Sequence, residues 1–257
     1  MIKLNRPKFI DVSEYKNYLD WHAEPKLDGQ RCTLHVTANI PWLIREGGTI
    51  KNNQYPEIAK CFDLPNNIIL DGEICVLENQ YRANFVNMLQ RETSDPLRIR
   101  ILEKRIPATF VAFDILKYDD KDVRYMPLKE RRKLLGKIPT NKNIQIITPE
   151  SVESLISKMC GMNMEGLVLK NPNENYFGIW HKIKNYIESD FIIKGVTSEH
   201  RLISALELID SDGNYIGKVN YTGPQTEIIK NSVVGKTAVV RYMNNGTFRF
   251  PVLKEIR

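Results

Sequence analysis

The residues that first suggest chemistry lie in the stretch AEPKLDGQRC, at positions 23–32. It sets Lys26 among Glu24, Asp28 and Arg31, with a proline and a glycine that favour a turn. A lysine is a covalent nucleophile only when its amine is neutral, and at an ordinary pKa of about 10.4 the neutral fraction near pH 7.4 is about 0.1%. Nearby cations and a bound metal lower that pKa, so a reactive Lys26 requires such groups elsewhere in the chain. The alternative is a surface turn whose charges are only solvated.

Residues with the required chemistry recur along the chain. Glu73 closes the tripeptide DGE and Glu165 opens the hexapeptide EGLVLK. Both are hard oxygen ligands of the kind that Mg²⁺ prefers. Lys182 and Lys184 are separated by one residue, so on a strand both ammonium groups face the same side. The chain therefore supplies candidate metal ligands and candidate phosphate-binding cations.

Seven short segments resemble, in order, the signature motifs of the covalent nucleotidyltransferases, which comprise DNA ligases, RNA ligases and mRNA capping enzymes. They are Lys26–Arg31 (K-x-D-G-x-R), Arg45–Gly47, Asp71–Glu73, Phe113–Leu116, Glu165–Lys170, Trp180–Lys184 and Arg249–Arg257. The last is similar to R-x-P-x-x-x-x-I-R, the closing motif of ATP-dependent DNA ligases. Ile44 departs from the pattern, because serine usually precedes the arginine of the second motif. The chain thus resembles a minimal ATP-dependent DNA ligase of the small viral or bacterial type.

The resemblance implies that the protein seals nicks with a 3′-hydroxyl and a 5′-phosphate in duplex DNA. Lys26 would attack the α-phosphorus of ATP, expel pyrophosphate and carry AMP as a phosphoramidate. AMP would then pass to the 5′-phosphate, and the 3′-hydroxyl would displace it. The implied cofactors are ATP and Mg²⁺ (or Mn²⁺), and the implied partner is nicked duplex DNA. Positioning and charge neutralisation dominate the catalysis of such phosphoryl transfers.

The resemblance also assigns roles around the nucleotide. Arg31 and Arg45 would hold the ribose and the nick phosphates, where a planar guanidinium suits oxygen anions. Glu73 and Glu165 would bind the metal or the ribose hydroxyls. Phe113 would stack on the adenine ring.

Further roles concern the base and the reacting groups. Glu24 would accept the adenine N6 amine, directly or through its backbone carbonyl, and Asp28 stands where the family places a carboxylate near the 3′-hydroxyl. Lys182 and Lys184 would face the α-phosphate, and their charge would lower the pKa of Lys26. In the last motif, Arg249 would contact the β- and γ-phosphates of ATP in the first step only, assisted by Arg257.

The elements that must position these residues follow from apolar periodicity and turn signals. Strands are predicted at 32–36, 67–77, 109–116 and 165–170, and helices at 85–92, 128–135 and 149–160, the last starting at Pro149-Glu150. After about residue 188 the chain has five strand-like runs, separated by turns such as 211–213 and 244–246. We therefore predict an α+β fold: a nucleotidyltransferase (adenylation) domain of antiparallel sheets with flanking helices at 1–188, then an all-β OB-fold barrel at 189–257.

Other functions stay open. An mRNA capping guanylyltransferase would share the lysine motif but use GTP; the tripeptide DGE, the F-D-x-L motif, the R-F-P ending and Glu24 favour the ligase. RNA ligases tend to lack arginine at the position of Arg31. A non-catalytic OB-fold nucleic-acid-binding protein would need no lysine in a K-x-D-G frame. Single residues also fit plainer roles: Phe113 in a core, and the run KERRK (129–133) on a solvated helix face.

Composition limits the class of protein. The formal charge is +6, from 37 basic and 31 acidic residues, which suits a polyanionic partner and equally a basic surface without one. The four cysteines show no C-x-x-C spacing, so neither a zinc site nor a disulfide framework is predicted. No apolar leader and no run of about 18 apolar residues is present. We expect an intracellular, cytoplasmic monomer without a membrane segment.

The sequence also bears on how DNA would be held. Only 25 residues precede Lys26, so the helical DNA-binding domain of large ligases is not expected. The segment 206–223 allows only a tight hairpin, where related viral ligases carry a longer latch that closes around the duplex. DNA binding would then rest on the basic faces of the two domains.

Overall fold

A computed structural model describes residues 2–61, 63–199, 202–223, 232–244 and 248–257 of the chain. The chain divides into two compact units, Met1–Lys184 and Asn185–Arg257. Residue 188, the expected end of the first domain, lies inside the first strand of the second unit. That strand already pairs from Tyr186 onwards, with Met243 as the partner of Tyr186.

The first unit combines short strands with short helices. Its strands are β1 (Lys8–Phe9), β2 (His22–Pro25), β3 (Gln30–Thr37), β4 (Ile40–Arg45), β5 (Ile68–Cys75), β6 (Leu77–Asn79), β7 (Arg82–Ala83), β8 (Thr109–Tyr118), β9 (Lys121–Asp122), β10 (Ile144–Ile146), β11 (Gly166–Lys170) and β12 (Trp180–Lys184). Its helices are a 3-10 helix (Val12–Tyr18), α1 (Pro56–Ala59), α2 (Phe85–Arg91), α3 (Pro96–Arg105), α4 (Leu128–Leu135) and α5 (Val152–Met159). The strands predicted at 32–36, 109–116 and 165–170 and the helices predicted at 85–92 and 128–135 are confirmed.

The strands of the first unit form two main sheets. One has the order β1-β12-β11-β2 and the other β10-β8-β5-β3-β4, with β9 paired to β8; β6 and β7 form a separate pair. Most pairs are antiparallel, as predicted. The exceptions are β1 on β12 and β10 on β8, which are parallel. Each parallel strand is a segment of two or three residues that is added at a sheet edge from a distant part of the chain.

Side-chain alternation places the main apolar core on one face of the larger sheet only. Leu34 and Leu70 are paired across β3 and β5 and are fully buried in the main core. Arg31 and Glu73 are also paired across these two strands, and each lies an odd number of residues from the leucine of its own strand. Because successive side chains alternate, Arg31 and Glu73 lie on the face opposite this core.

The smaller sheet is divided in the same way. Leu167 and Ile183 are fully buried in a core with Val152 and Leu155 of α5. Val168 and Lys182, which are paired with each other on β11 and β12, lie on the opposite face. Both sheets thus direct motif residues away from their apolar cores.

Helix α5 begins later than the sequence suggests. Its N-cap is Ser151, whose hydroxyl accepts a hydrogen bond from the backbone N–H of Ser154. The start predicted at Pro149-Glu150 is wrong because Glu150 is extended and forms a β-bridge with Ala23. Backbone pairing at that point outweighs the helix-start signal of Pro149.

The second unit is one antiparallel sheet of five strands among its described residues. They are β13 (Tyr186–Glu199), β14 (Leu202–Ile209), β15 (Tyr215–Asn220), β16 (Thr237–Asn244) and β17 (Phe248–Ile256). The order is β15-β14-β13-β16-β17, and the outer strands β15 and β17 contact each other, so the sheet curls. Ile193, Leu206 and Val240 are fully buried inside the curl.

Two turns were predicted in this unit. Gly213, at a φ of 85°, closes a tight hairpin between β14 and β15, which confirms the first. Asn245 and Gly246 of the second turn lie outside the described residues.

Within the ranges given above, no helix is both long and apolar enough to cross a membrane.

Candidate active site

A cavity of about 260 Å³ in the first unit brings the predicted site residues together. The predicted residues among its lining are Glu24, Lys26, Arg31, Glu73 and Phe113, and its other walls include Ile147, Val168, Lys170 and Trp180. These residues lie on or directly after strands of both main sheets, on the faces opposite the two larger apolar cores. The cavity therefore joins segments that are far apart in the chain, from Glu24 to Trp180.

The backbone around Lys26 is fixed by close packing. Lys26 follows β2 directly, and its N–H donates to the carbonyl of Gly166 at 2.9 Å. A Cβ at Gly29 would lie 2.3 Å from the carbonyl oxygen of Ile74, and one at Gly166 would lie 2.1 Å from that of Ile183. Glycine is required at both positions because the neighbouring backbone leaves no room for a side chain.

The amine of Lys26 is held as an ammonium. Its Nζ forms an ion pair with Glu165 Oε1 at 2.7 Å. Burial opposes the charged form, but attraction by Glu165, Glu73 and Asp28 outweighs it and raises the pKa of Lys26 above its ordinary value. We expected the charge of Lys182 and Lys184 to lower this pKa; in the ligand-free protein the carboxylates around the amine outweigh that repulsion, and the net shift is upward.

Glu73 and Glu165 form a carboxylate pair beside Lys26. Burial raises the pKa of Glu73 to about 8, and the charge of Glu165 adds to the rise. Burial also raises the pKa of Glu165, against the attraction of Lys26. Oε2 of Glu165 is buried and has no hydrogen-bond partner in the described part of the chain.

These two carboxylates fit a Mg²⁺ ion. Across the described ranges, no group of three or more His, Cys, Asp or Glu residues is arranged to hold a metal. Mg²⁺ is commonly held by one or two carboxylates together with substrate phosphates and water. Two carboxylates, one with an unpaired buried oxygen, match that pattern.

Two more lysines stand near the nucleophile. Burial lowers the pKa of Lys182, and the charges of Lys26 and Lys184 lower it further, so Lys182 is close enough to be repelled by both. Lys184 also stabilises the charged form of Glu165. The predicted placement of both lysines on one face of a strand agrees with their positions on β12.

The two predicted arginines occupy different places. Arg31 makes a two-fold contact with buried Asp71, from Nε at 3.1 Å and from Nη2 at 2.7 Å, and also donates to the hydroxyl of Tyr176. Arg45 is exposed at the end of β4 and does not line the cavity with Lys26. It lines a neighbouring cleft, together with Arg31 and Met88.

The ring of Phe113 lies in the cavity because β8 is irregular there. Asp71 pairs with Asp114 and Gly72 with Ala112, which leaves Phe113 as the extra residue of a bulge. A bulge re-aims the side chain at that point. The ring packs edge-on against Trp180, at 6.2 Å between centroids, so it is partly a packing residue as well.

Glu24 is enclosed by cations that sequence reasoning missed. Its carboxylate, 2% exposed, forms ion pairs with Arg132 and with Lys170, the latter at 2.7 Å. Asp114 is likewise paired with Arg131 at 2.8 Å. The prediction that KERRK forms a solvated face is therefore wrong for both arginines. Arg131 follows Leu128 by three residues on the buried side of α4, and that spacing was an available signal.

Asp28 lies near Lys26 and Glu165, and its charge raises the pKa of both.

The last two predicted residues, Arg249 and Arg257, belong to the second unit. Arg249 stands at a bulge of β17 beside Phe250, whose φ is 50°, and its guanidinium lies 5.1 Å from the centre of the Phe250 ring. The Arg257 side chain pairs with Glu255 at 3.1 Å.

The chain matches a known family over most of the first unit. Residues 10–184 match the family model of the ATP dependent DNA ligase domain. DNA ligase C of Mycobacterium tuberculosis is 27% identical over 191 residues, which cover 68% of this chain and 53% of that protein. The bifunctional non-homologous end joining protein LigD of Bacillus subtilis is 28% identical over 204 residues, which cover 68% of this chain and 33% of that protein. The chain thus spans about half of one relative and a third of the other.

A solved structure from a structure-function study of Lig E DNA ligases is similar over 100% of both chains, with a TM-score of 0.70 and 16% identity. At that identity the likeness concerns the fold alone. It covers both units of the chain, whereas the family model ends at residue 184.

Proposed function

The chain belongs to the ATP-dependent DNA ligase domain family, and we propose that it seals nicks in duplex DNA through an AMP adduct on Lys26. The observation that carries the proposal is the cavity in which Lys26 stands with Glu24, Arg31, Glu73 and Phe113. These five residues line one cavity, although they are distant in the sequence, and Glu165 is paired with Lys26 beside it. A non-catalytic nucleic-acid-binding protein would need no such convergence.

In the first step, Lys26 Nζ forms a bond to the α-phosphorus of ATP and the bond to pyrophosphate breaks. Lys26 must first leave its ion pair with Glu165 and lose its proton, because an ammonium has no free electron pair. Lys182 and Lys184 neutralise the charge of the transferring phosphoryl group. In the later steps Asp28 and Arg45 act at the nick, where AMP passes to the 5′-phosphate and the 3′-hydroxyl displaces it.

The nucleotide and its metal are held by different walls of the cavity. Phe113 stacks on adenine, Glu24 faces the base, and Arg31 binds the ribose or the phosphates. Glu73 and Glu165 would hold Mg²⁺. When bound, the ion neutralises phosphate charge and orients the α-phosphate.

We also propose that the units 1–184 and 185–257 are a nucleotidyltransferase domain and an OB-fold domain. The curled five-stranded sheet, with its outer strands in contact, supports the second assignment. Nicked duplex DNA is the proposed partner, bound through the basic surplus of the chain. The protein acts as a monomer inside the cell.

The test is transfer of label to the protein. The protein is incubated with Mg²⁺ and ATP labelled at the α-phosphate, or with GTP labelled in the same way, and run on a denaturing gel. We expect label from ATP that is lost in Lys26→Ala and retained in Lys133→Ala, whose side chain is exposed on α4. Added nicked DNA should then be sealed and release the label as AMP. Label from GTP alone would identify a guanylyltransferase, and no label after pyrophosphate treatment would overturn the proposal.

A further inference from the structure

A buried ion cluster forms part of the cavity wall. We define the Glu24 cluster as Glu24, Arg132 and Lys170. Glu24 Oε1 is paired with Arg132 Nη2 and Glu24 Oε2 with Lys170 Nζ at 2.7 Å. Glu24 and Lys170 are 2% and 1% exposed, and Arg132 is 12% exposed. Buried charges are costly unless they are paired, so one carboxylate with two cations calls for an explanation beyond stability.

The cluster fixes three walls of the cavity at once. Arg132 Nη1 donates to the carbonyl of Ile147 at 2.9 Å, and Lys170 Nζ donates to the carbonyl of Phe113 at 3.1 Å. Glu24, Ile147 and Phe113 all line the cavity. Arg132 is not part of the lining itself, so it acts on the cavity through the residues that it holds.

Towards a base, the cluster offers free acceptor positions on Glu24 and one remaining N–H of Lys170; Arg132, whose Nε has no partner among the described residues, does not line the cavity. Lys170 has three N–H donors. One goes to Glu24 and one to Phe113, and its Nζ also lies 4.2 Å from the centre of the Trp180 ring. An ionised carboxylate has about four lone-pair sites, of which the two ion pairs use two. Glu24 can therefore still accept a hydrogen bond, whereas Lys170 has little left to donate.

This pattern distinguishes the two purines at position 6. Adenine presents an amino group there, which donates, and guanine presents a carbonyl, which accepts. A fixed carboxylate matches the amino group and repels the carbonyl. Sites built to pair a polar group discriminate strongly against a ligand that leaves that group unpaired.

We propose that Arg132 and Lys170 are positioning residues that hold Glu24 as a fixed acceptor and thereby make the cavity select adenine over guanine. The inference rests on the proposed function, because it concerns the nucleotide that Lys26 uses. A purely structural cluster would affect stability and leave the choice of nucleotide unchanged.

The experiment compares nucleotides within one protein preparation. The initial rate of label transfer to Lys26 is measured with α-labelled ATP and with α-labelled GTP, for wild type, Arg132→Met and Lys133→Met. Lys133 is the next residue of α4, and its side chain is 70% exposed. We expect the ATP-to-GTP rate ratio to fall at least about tenfold in Arg132→Met and to stay unchanged in Lys133→Met.

The ratio remains meaningful if Arg132→Met is partly unfolded, because both rates come from the same active fraction. Arg132→Lys keeps the charge beside Glu24, but lysine lacks the planar guanidinium whose two nitrogens contact Glu24 and Ile147 at the same time. It is expected to give an intermediate ratio and serves as the measured variant if Arg132→Met does not fold. Wild-type ratios in both Arg132 variants would overturn the inference and leave the proposed function intact. Failure of the wild type to take label from ATP would overturn both.

Discussion

The charge state of Lys26 determines when the site can react. The amine is paired with Glu165, and nearby Glu73 and Asp28 also favour its charged form. Because the pKa of Lys26 is raised, nearly all of the amine is protonated at neutral pH. Attack on a phosphorus atom requires the small neutral fraction.

We therefore predict a strong pH dependence of adduct formation. Below the pKa of Lys26 the neutral fraction grows about tenfold for each pH unit, so the single-turnover rate should rise between pH 6 and 9. Glu73, whose pKa burial raises to about 8, ionises in the same range, and its negative charge favours the ammonium form of Lys26, so the rise should be shallower than tenfold per pH unit. The measurement is the initial rate of label transfer from α-labelled ATP at saturating Mg²⁺. A rate that falls with rising pH would contradict this assignment of the amine.

A second prediction concerns the backbone that carries the nucleophile. In Gly29→Ala the new Cβ would lie 2.3 Å from the carbonyl oxygen of Ile74, so β5 or the Lys26 turn must shift. A displacement of about 1 Å at a reacting group can cost about 100-fold in rate. We expect a loss of that order in label transfer. Gly161→Ala is the matched control, because no atom of the described residues lies within 4 Å of its added Cβ. Equal rates in the two variants would exclude close packing as the reason for Gly29.

Among the elements, α4 pairs with two buried carboxylates, one of which, Glu24, lines the cavity. Arg131 pairs with Asp114 on β8, and Arg132 with Glu24 on β2. Both members of the first pair are almost fully buried, at 1% and 0% exposed. The helix is thus attached to both main sheets through adjacent arginines.

Removing one partner of the buried pair should destabilise the protein strongly. In Arg131→Met, Asp114 would remain as an unpaired buried charge, at a cost of about 3–5 kcal/mol. Urea denaturation followed by circular dichroism gives the free energy of unfolding. Lys133→Met, on the exposed side of the same helix, should change it by less than about 0.5 kcal/mol. A loss below about 1 kcal/mol in Arg131→Met would mean that Asp114 finds another partner or becomes protonated.

The same helix shows what the sequence can and cannot predict. Its position followed from leucines at helical spacing, and most strands followed from β-rich runs between turns. The burial of Arg131 and Arg132 did not, because their partners lie 17 and 108 residues away in the chain. Whether a charged helix segment faces solvent or the core depends on where the fold places its partner carboxylates, here Asp114 and Glu24. Likewise, the motif residues predicted which groups the site contains, but the ion pair between Lys26 and Glu165 is visible only in the folded structure.

At the scale of the whole molecule, the proposed chemistry draws on both units. The nucleophile and the carboxylates lie in the unit Met1–Lys184, and Arg249 lies in Asn185–Arg257. The resemblance of the last motif to that of ATP-dependent DNA ligases implies that Arg249 contacts the phosphates that leave as pyrophosphate in the first step. The nick has no such group, so the second and third steps have no use for that contact.

Arg249→Ala should therefore separate the steps of the reaction. We expect slower formation of the labelled adduct, because a guanidinium that binds the β- and γ-phosphates is lost. AMP transfer from adduct already formed, measured as sealing of nicked DNA after unbound ATP is removed, should proceed at the wild-type rate. Lys254→Ala, an exposed position on the same strand β17, should leave both rates unchanged. Equal slowing of both steps would show that Arg249 acts on the nick or on the fold, and that the second unit does not act specifically on ATP.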